Sequence, residues 1–183
     1  MMTVTVTGDD AAKRATARPR PLTDPARLHA VASLLTDPDP LDDLDLTVLA
    51  ANVAEATGAR TALISLMLND VTVIVAGTAV PEPLAEGGGM PVEWTPCGVV
   101  TGSDRGVMIA DLAVDPVYRD TPLILACRVR SYAGVPLRDA DGLVVGTLAV
   151  FDPAPRALGH EVLPQLKQLA ERVTPLLERR RRD

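Results

Sequence analysis

Apolar and polar positions along this chain change period from block to block, and the changes predict its elements. Asp24-Pro25 supplies a capping carboxylate followed by Pro at the first helical position. Leu28, Val31, Leu34 and Leu35 then recur at helical spacing. The prolines of Asp37-Pro38-Asp39-Pro40 end that helix, because each removes an amide donor and restricts the residue before it. From Asp45 to Thr57 the stripe Leu46, Leu49, Val53 and Ala56 predicts a second helix, with Gly58 as its stop. β-rich runs follow at Thr61 to Leu68 and Val71 to Ala76, joined by the turn residues Asn69-Asp70. Residues 78–91, with Pro81, Pro83 and Gly87-Gly88-Gly89, read as a loop without regular structure.

Farther along, Thr95 is placed to cap a short helix carrying Cys97, Val99 and Val100, and Gly106 to Asp111 reads as a strand. Asp115-Pro116 starts a turn, and Thr121-Pro122 opens a short helix ending near Ala126. Two strong strands, Val129 to Leu137 and Leu143 to Phe151, flank Asp141-Gly142, and Asp152-Pro153 stops the second. A long helix from Leu158 to Arg180 carries Leu163, Leu166, Leu169, Val173, Leu176 and Leu177; Pro164 is tolerated in its first turns, and Pro175 is expected to kink or loosen its end. Residues 1–22 lack any apolar period and read as a disordered lead-in, 23–180 as one domain, and 181–183 as a basic tail. Strands arriving as hairpins rather than βα units predict an α+β fold: an antiparallel sheet with helices on one face.

Composition narrows the function classes. Of 183 residues 47% are apolar, enough for a sizeable core, but only 2% are aromatic. Trp94, Tyr118, Tyr132 and Phe151 are therefore the residues to watch, and platforms for stacking single-stranded nucleic acid are scarce. A net charge of −6 repels nucleic acid and acidic membrane surfaces. No apolar run approaches the roughly 20 residues that span a bilayer, and the acidic opening MMTVTVTGDD does not resemble a secretory leader. Two cysteines, Cys97 and Cys127, suit a reducing compartment, so a cytoplasmic location is expected.

The blocks Cys97-Gly98-Val99-Val100, Ile109 through Pro116, Ser131-Tyr132-Ala133-Gly134-Val135-Pro136-Leu137-Arg138, and Gly146-Thr147-Leu148 to Phe151-Asp152-Pro153 closely resemble a GAF domain of bacterial signalling proteins. The resemblance extends over about 44–178. It implies a central antiparallel sheet of five to six strands with the terminal helices packed on one face. Loops and short helices between 78 and 128 would roof a ligand pocket on the other. It also implies a sensory role: binding a small molecule and acting through a signalling partner protein, with the terminal helices pairing in a homodimer. The Asn-Lys-x-x-x-Phe-x-x-x-Asp-Glu signature of cyclic-nucleotide-binding relatives has no equivalent here. His29 and His160 lie in the peripheral helices, away from both cysteines, which argues against bilin and haem. The sequence does not identify a cofactor, and metal-ligand spacing is absent.

The candidate ligand-binding residues are Trp94, Thr95, Cys97, Asp111, Tyr118 and Tyr132. An indole at a pocket rim can stack on a flat ligand or cap the core. Tyr118 and Tyr132 carry hydroxyls that can orient one, and Asp111 faces the pocket or braces a loop. Cys97 just after a helix start, and Cys127 beside Arg128 and Arg130, sit where thiolate is favoured. A thiol-based redox sensor or methionine sulfoxide reductase-like enzyme using both cysteines is therefore the first competing reading, and a ligand-free dimerisation module the second. Gly87-Gly88-Gly89 lacks the Gly-Lys-Ser/Thr ending of a phosphate loop and reads as a flexible lid. Arg179 to Arg182 complement a helix dipole, and Asp42-Asp43 and the Asp139/Asp141 pair cap and solvate turns. No catalytic constellation is visible.

Overall fold

The computed structural model describes residues 21–35, 44–155, 159 and 161–180. Helix α1 (Pro25–Leu34) starts as its sequence dictates: the Asp24 carboxylate accepts the Arg27 amide at 2.9 Å, and Pro25 occupies the first turn. Helix α2 (Leu44–Thr57) buries Leu46, Leu49, Ala50 and Val53, and Gly58 leaves it with a positive φ of 65°. Strands β1 (Thr61–Met67) and β2 (Val71–Thr78) meet through the two-residue turn at Asn69-Asp70, closed by the Leu68 amide on the Val71 carbonyl at 2.9 Å.

The segment 78–91 is more regular than its prolines and glycines suggest. Glu82–Gly87 forms helix α3, and Gly89–Pro91 forms strand β3, which pairs with the first residues of β2. Pro83 sits in the first turn of α3, where its missing amide costs nothing. Gly88 ends the helix in the left-handed region, φ 62°. A Cβ at Gly89 would lie 2.5 Å from the Thr72 carbonyl oxygen, so that glycine permits the pairing rather than forming a lid.

A short helix α4 (Cys97–Ser103) precedes β4 (Val107–Ile109), which is shorter than the run from Gly106 to Asp111. Helix α5 (Pro122–Leu125) leads to β5 (Ser131–Arg138), beginning after Val129, and then to β6 (Val144–Asp152). Their turn is tied by Asp139, buried at 4% exposure, which accepts the Asp141 and Leu143 amides at 3.1 and 2.8 Å. Helix α6 (Val162–Arg180) runs on through Pro175 to Arg180, and its expected start at Leu158 lies outside the described residues. The expected lead-in up to residue 20, the Asp37–Pro40 helix stop, Asp42-Asp43, His160 and the basic tail 181–183 lie outside the described residues. Pro21 and Leu22 lie within them, and Leu22 packs on the core.

All six strands form one antiparallel sheet in the order β3-β2-β1-β6-β5-β4. Strand alternation divides the core in two. Ala62, Ile64, Leu66, Ala133, Val135, Leu148 and Val150 face α1, α2 and α6, meeting Val31, Leu34, Leu46, Val53, Leu166 and Val173. Leu63, Met67, Ile74, Tyr132, Ala149 and Phe151 face the other way, under α3, α4, α5 and their loops. The sequence thus predicts the two-faced α+β architecture correctly, at the upper end of its strand count. Among the described residues no helix is long and apolar enough to cross a membrane.

Arg27 is the residue that the helical stripe of α1 concealed. It is 1% exposed at the end of β1, where its guanidinium donates to the carbonyls of Leu22, Met67 and Leu68, the last at 3.1 Å. Burial lowers its pKa against the opposing pull of Asp24. A planar donor fork matches several converging carbonyls as no other side chain can.

Candidate functional site

The second core cluster gathers the aromatic residues and both thiols of this chain, Cys97 buried within it and Cys127 packed against it with Trp94. Pro96 takes the N-cap position of α4, one residue later than expected, and holds Cys97 in the first turn. Thr95 serves differently: its hydroxyl accepts the Cys97 amide at 3.4 Å and donates to the Cys97 sulfur at 3.2 Å. Helix α4 lies across β5 and β6. From β5 the Tyr132 hydroxyl donates to the same sulfur at 3.4 Å, and from β6 the Thr147 hydroxyl donates to the Cys97 carbonyl at 3.5 Å. Thr101, one turn along α4, shares a hydrogen bond with Thr147 at 3.1 Å. All five side chains are buried. Their polar groups satisfy one another by mostly long contacts inside a shell of Leu63, Met67, Leu112, Leu123 and Phe151.

Tyr132 lies flat along its own strand. A Cβ at Gly134 would meet the Tyr132 hydroxyl at 2.2 Å and the ring carbon bearing it at 2.7 Å. Phe151, the cross-strand partner, meets the ring edge-on with centroids 5.1 Å apart and planes at 67°. Such aromatic pairs contribute roughly 0.5–1.5 kcal/mol beyond their buried area. Tyr118 is also buried, held at the start of its turn by Asp115, whose carboxylate accepts the Val117 and Tyr118 amides at 2.8 and 3.3 Å. Trp94 is half-buried at the rim, packed against the same cluster, and its carbonyl accepts the Thr121 hydroxyl at 3.4 Å.

Asp111 stands apart from this centre. It caps the short 3-10 turn Leu112–Val114 by accepting the Ala113 amide at 3.0 Å, and it holds Arg130 bidentately at 2.7 and 2.6 Å. Of the two roles open to it in the sequence, Asp111 takes loop bracing. The bond from Arg130 pulls the Asp111 carboxyl below its ordinary value of 3.8, and Arg130 is raised in return.

The thiols behave oppositely to the sequence expectation. Burial pushes Cys97 above its ordinary 9.0, outweighing the hydrogen bonds from Thr95 and Tyr132, and burial raises Cys127 as well. The expected thiolate preference of both is thereby corrected: desolvation overrides the start of a seven-residue helix and two neighbouring arginines. Arg130 is in any case committed to Asp111. Burial likewise raises Tyr132 well above 10.0, and Tyr118, with the nearby Asp115 charge adding to burial, to about 12. The centre is neutral at physiological pH. Thr101 and Thr147 escaped the sequence reading; their only local signal is a hydroxyl at an inward position of an otherwise apolar helix and strand.

The sign of each shift fixes a stability profile. Asp111 is lowered, so its contribution is full above 3.8 and is lost as pH falls through its lower folded value. Tyr118 is raised, so the fold is favoured below pH 10.0 and loses stability as pH rises toward about 12. Urea midpoints should therefore drop at both extremes, and Asp111→Asn should flatten the acid limb alone.

A six-stranded antiparallel sheet, with long helices on one face and a short-helix roof over a neutral polar centre on the other, defines a two-faced α+β fold. Residues 43–175 match the model of the GAF domain, and the chain belongs to that family, whose domains are typical of signalling sensors. Among curated proteins it is 41% identical over 76 residues to a cyclic di-GMP phosphodiesterase of Pseudomonas aeruginosa; the stretch covers 40% of this chain and 11% of that protein. Among solved structures it is similar to the GAF domain of a phosphoenolpyruvate-protein phosphotransferase from Coxiella burnetii, with TM-score 0.64 and 15% identity, covering 85% of this chain and 93% of that one. It is also similar to the free methionine-R-sulfoxide reductase of Neisseria meningitidis, with TM-score 0.57 and 20% identity, covering 100% and 96%. At these identities the structures support the fold alone.

Proposed function

We propose that this GAF domain is a non-enzymatic sensor that binds a small molecule between its sheet and its roof and relays binding to a signalling partner protein. The observation that carries the reading is the centre around Cys97. Thr95, Thr101, Tyr132 and Thr147 bring hydroxyls to one point inside an apolar shell, and few convergent polar groups in apolar surroundings are the usual chemistry of a ligand site. Trp94 and Tyr118 border it, and Asp111 holds the roof through Arg130. The relay would run through the N-terminal segment: Leu22 packs on the roof-side cluster, while Arg27 ties the start of α1 to the end of β1.

A cytoplasmic homodimer paired through its outer helices completes the reading. Leu44 and Val48, 78% and 58% exposed and one turn apart on α2, support the pairing, beside the Asp45–Arg179 ion pair that joins α2 to α6. Thiols whose pKa values are raised, with Cys97 buried, weigh against the redox-enzyme alternative. The match to a fraction of a cyclic di-GMP phosphodiesterase supports work within signalling proteins, not a particular ligand.

A thermal-shift screen of neutral metabolites and of nucleotides including cyclic di-GMP, with native mass spectrometry of any hit, tests this. A ligand at 100 times its Kd adds about 2.7 kcal/mol, worth about 5–10 °C for a chain of this size. A screen in which nothing stabilises the protein would leave the scaffold reading instead.

A further inference from the structure

We infer that Tyr132 plugs the ligand position with its own side chain, and that the ligand displacing it is a neutral aromatic molecule bearing one hydrogen-bond donor. The inference rests on the ligand-site reading above and adds the occupant and its chemical class.

Gly134 is the first argument. It lies inside β5, paired with Ala149 on one side and Val107 on the other, and it is not among the glycines with positive φ. Glycine inside a strand forfeits packing and conformational entropy, and marks a place that something else approaches closely. Here that something is the phenol of Tyr132, whose hydroxyl and ring carbon would lie within 2.7 Å of any Cβ. The backbone makes no other demand for glycine here, so the residue is matched to the ring lying down over it.

The second argument is how the phenol is held. A buried tyrosine hydroxyl ordinarily finds a hydrogen-bond partner, and the one Tyr132 finds is a thiol, a weak acceptor, at 3.4 Å. Ring packing on Phe151 and the space over Gly134 hold it in place. A plug so bonded can be exchanged for a molecule of the same shape. Its surroundings then define the replacement: a flat ring against Phe151 and over Gly134, and a donor aimed at Cys97. Among the described residues, the side chains bonded to Cys97 or Tyr132 are hydroxyls and a thiol, so a negative charge would find no cation there. Of the arginines near the roof, Arg130 is already paired with Asp111 and Arg119 with Asp120.

The test uses p-cresol, the tyrosine side chain as a free molecule, on the full chain. Toluene is the comparator without the donor, and 4-hydroxybenzoate the one with a charge. Calorimetry should show p-cresol binding Gly134→Ala and Tyr132→Ala at least tenfold more tightly than wild type, because the first variant evicts the plug and the second removes it. Toluene and 4-hydroxybenzoate should bind Tyr132→Ala at least tenfold more weakly than p-cresol. If Tyr132→Ala is unfolded alone, p-cresol should restore its unfolding transition and toluene should not. Variants no better than wild type would overturn the plug. Equal binding of toluene or 4-hydroxybenzoate would overturn the ligand class. An empty metabolite screen with cresol binding intact would sink the sensor reading and spare the plug; a metabolite hit with variants blind to cresol would do the reverse.

Discussion

Gly146→Ala is expected to lower stability by about 3 kcal/mol or more, the largest effect of any single methyl group in this chain. Gly146 lies on β6 between Leu66 of β1 and Leu137 of β5. An added Cβ would stand 1.9 Å from the Ser65 carbonyl oxygen and 2.9 Å from the Leu66 Cα. Both are backbone atoms of the neighbouring central strand, so no side-chain rotation relieves the clash. Relief requires parting β1 from β6, the seam between the two halves of the sheet. The usual benefit of replacing glycine with alanine, about 0.5–1 kcal/mol, has the opposite sign and is outweighed. Gly102→Ala is the control: its Cβ would meet nothing within 4 Å, and within α4 it should be neutral or slightly stabilising. Urea denaturation of the two variants checks both signs, and an unchanged midpoint for Gly146→Ala would refute the β1–β6 register.

Arg27→Ala is expected to cost about 3 kcal/mol, since hydrogen bonds from a charged donor contribute about 1.5–3 kcal/mol and the abandoned carbonyls would stay buried. The guanidinium is the donor that three carbonyls share at the end of β1. Arg27→Lys should lose nearly as much, because an ammonium on a single stem does not reproduce a planar fork. Arg27→Met, filling the space without the donors, should fall with them rather than with wild type. Denaturant midpoints for the three variants decide this; full rescue by lysine would mean that charge alone, and not fork geometry, anchors α1.

Much of the fold was legible because it is local. The β1–β2 hairpin declares itself in Asn69-Asp70, the end of α2 in Gly58, and the β5–β6 turn in Asp141-Gly142, with Gly142 at φ 80°. Alternation within β1 and β5, and from Leu148 onward in β6, divides between the two core clusters, so period predicts which of those residues meet the helices; Val145 breaks it by joining the helix side. The segment 78–91 misled because short elements draw on long-range partners: β3 exists by pairing with β2, a contact that no window of sequence displays.

The candidate site was legible in membership and opaque in chemistry. Thr95, Cys97 and Tyr132 do converge, with Tyr118 in the same cluster and Trp94 at its rim. What sequence could not weigh was burial. A helix start suggests a reactive thiol, but 2% exposure reverses the direction of its pKa. Asp111 needed a partner 19 residues away to reveal its role. Arg27 sits one position before the apolar stripe and carries a charge, the last residue type that a periodic reading assigns to an interior.

The central physical claim is that Cys97 is sealed, neutral, beneath Tyr132, while Cys127 is the more open thiol. Iodoacetamide labelling at pH 8 of the full chain as Cys127→Ser and as Cys97→Ser, each leaving one cysteine, measures this directly. The account requires Cys97 to react at least about tenfold more slowly than Cys127, because alkylation needs an accessible thiolate. Equal rates, or a faster Cys97, would contradict it and restore the redox-enzyme reading of the site.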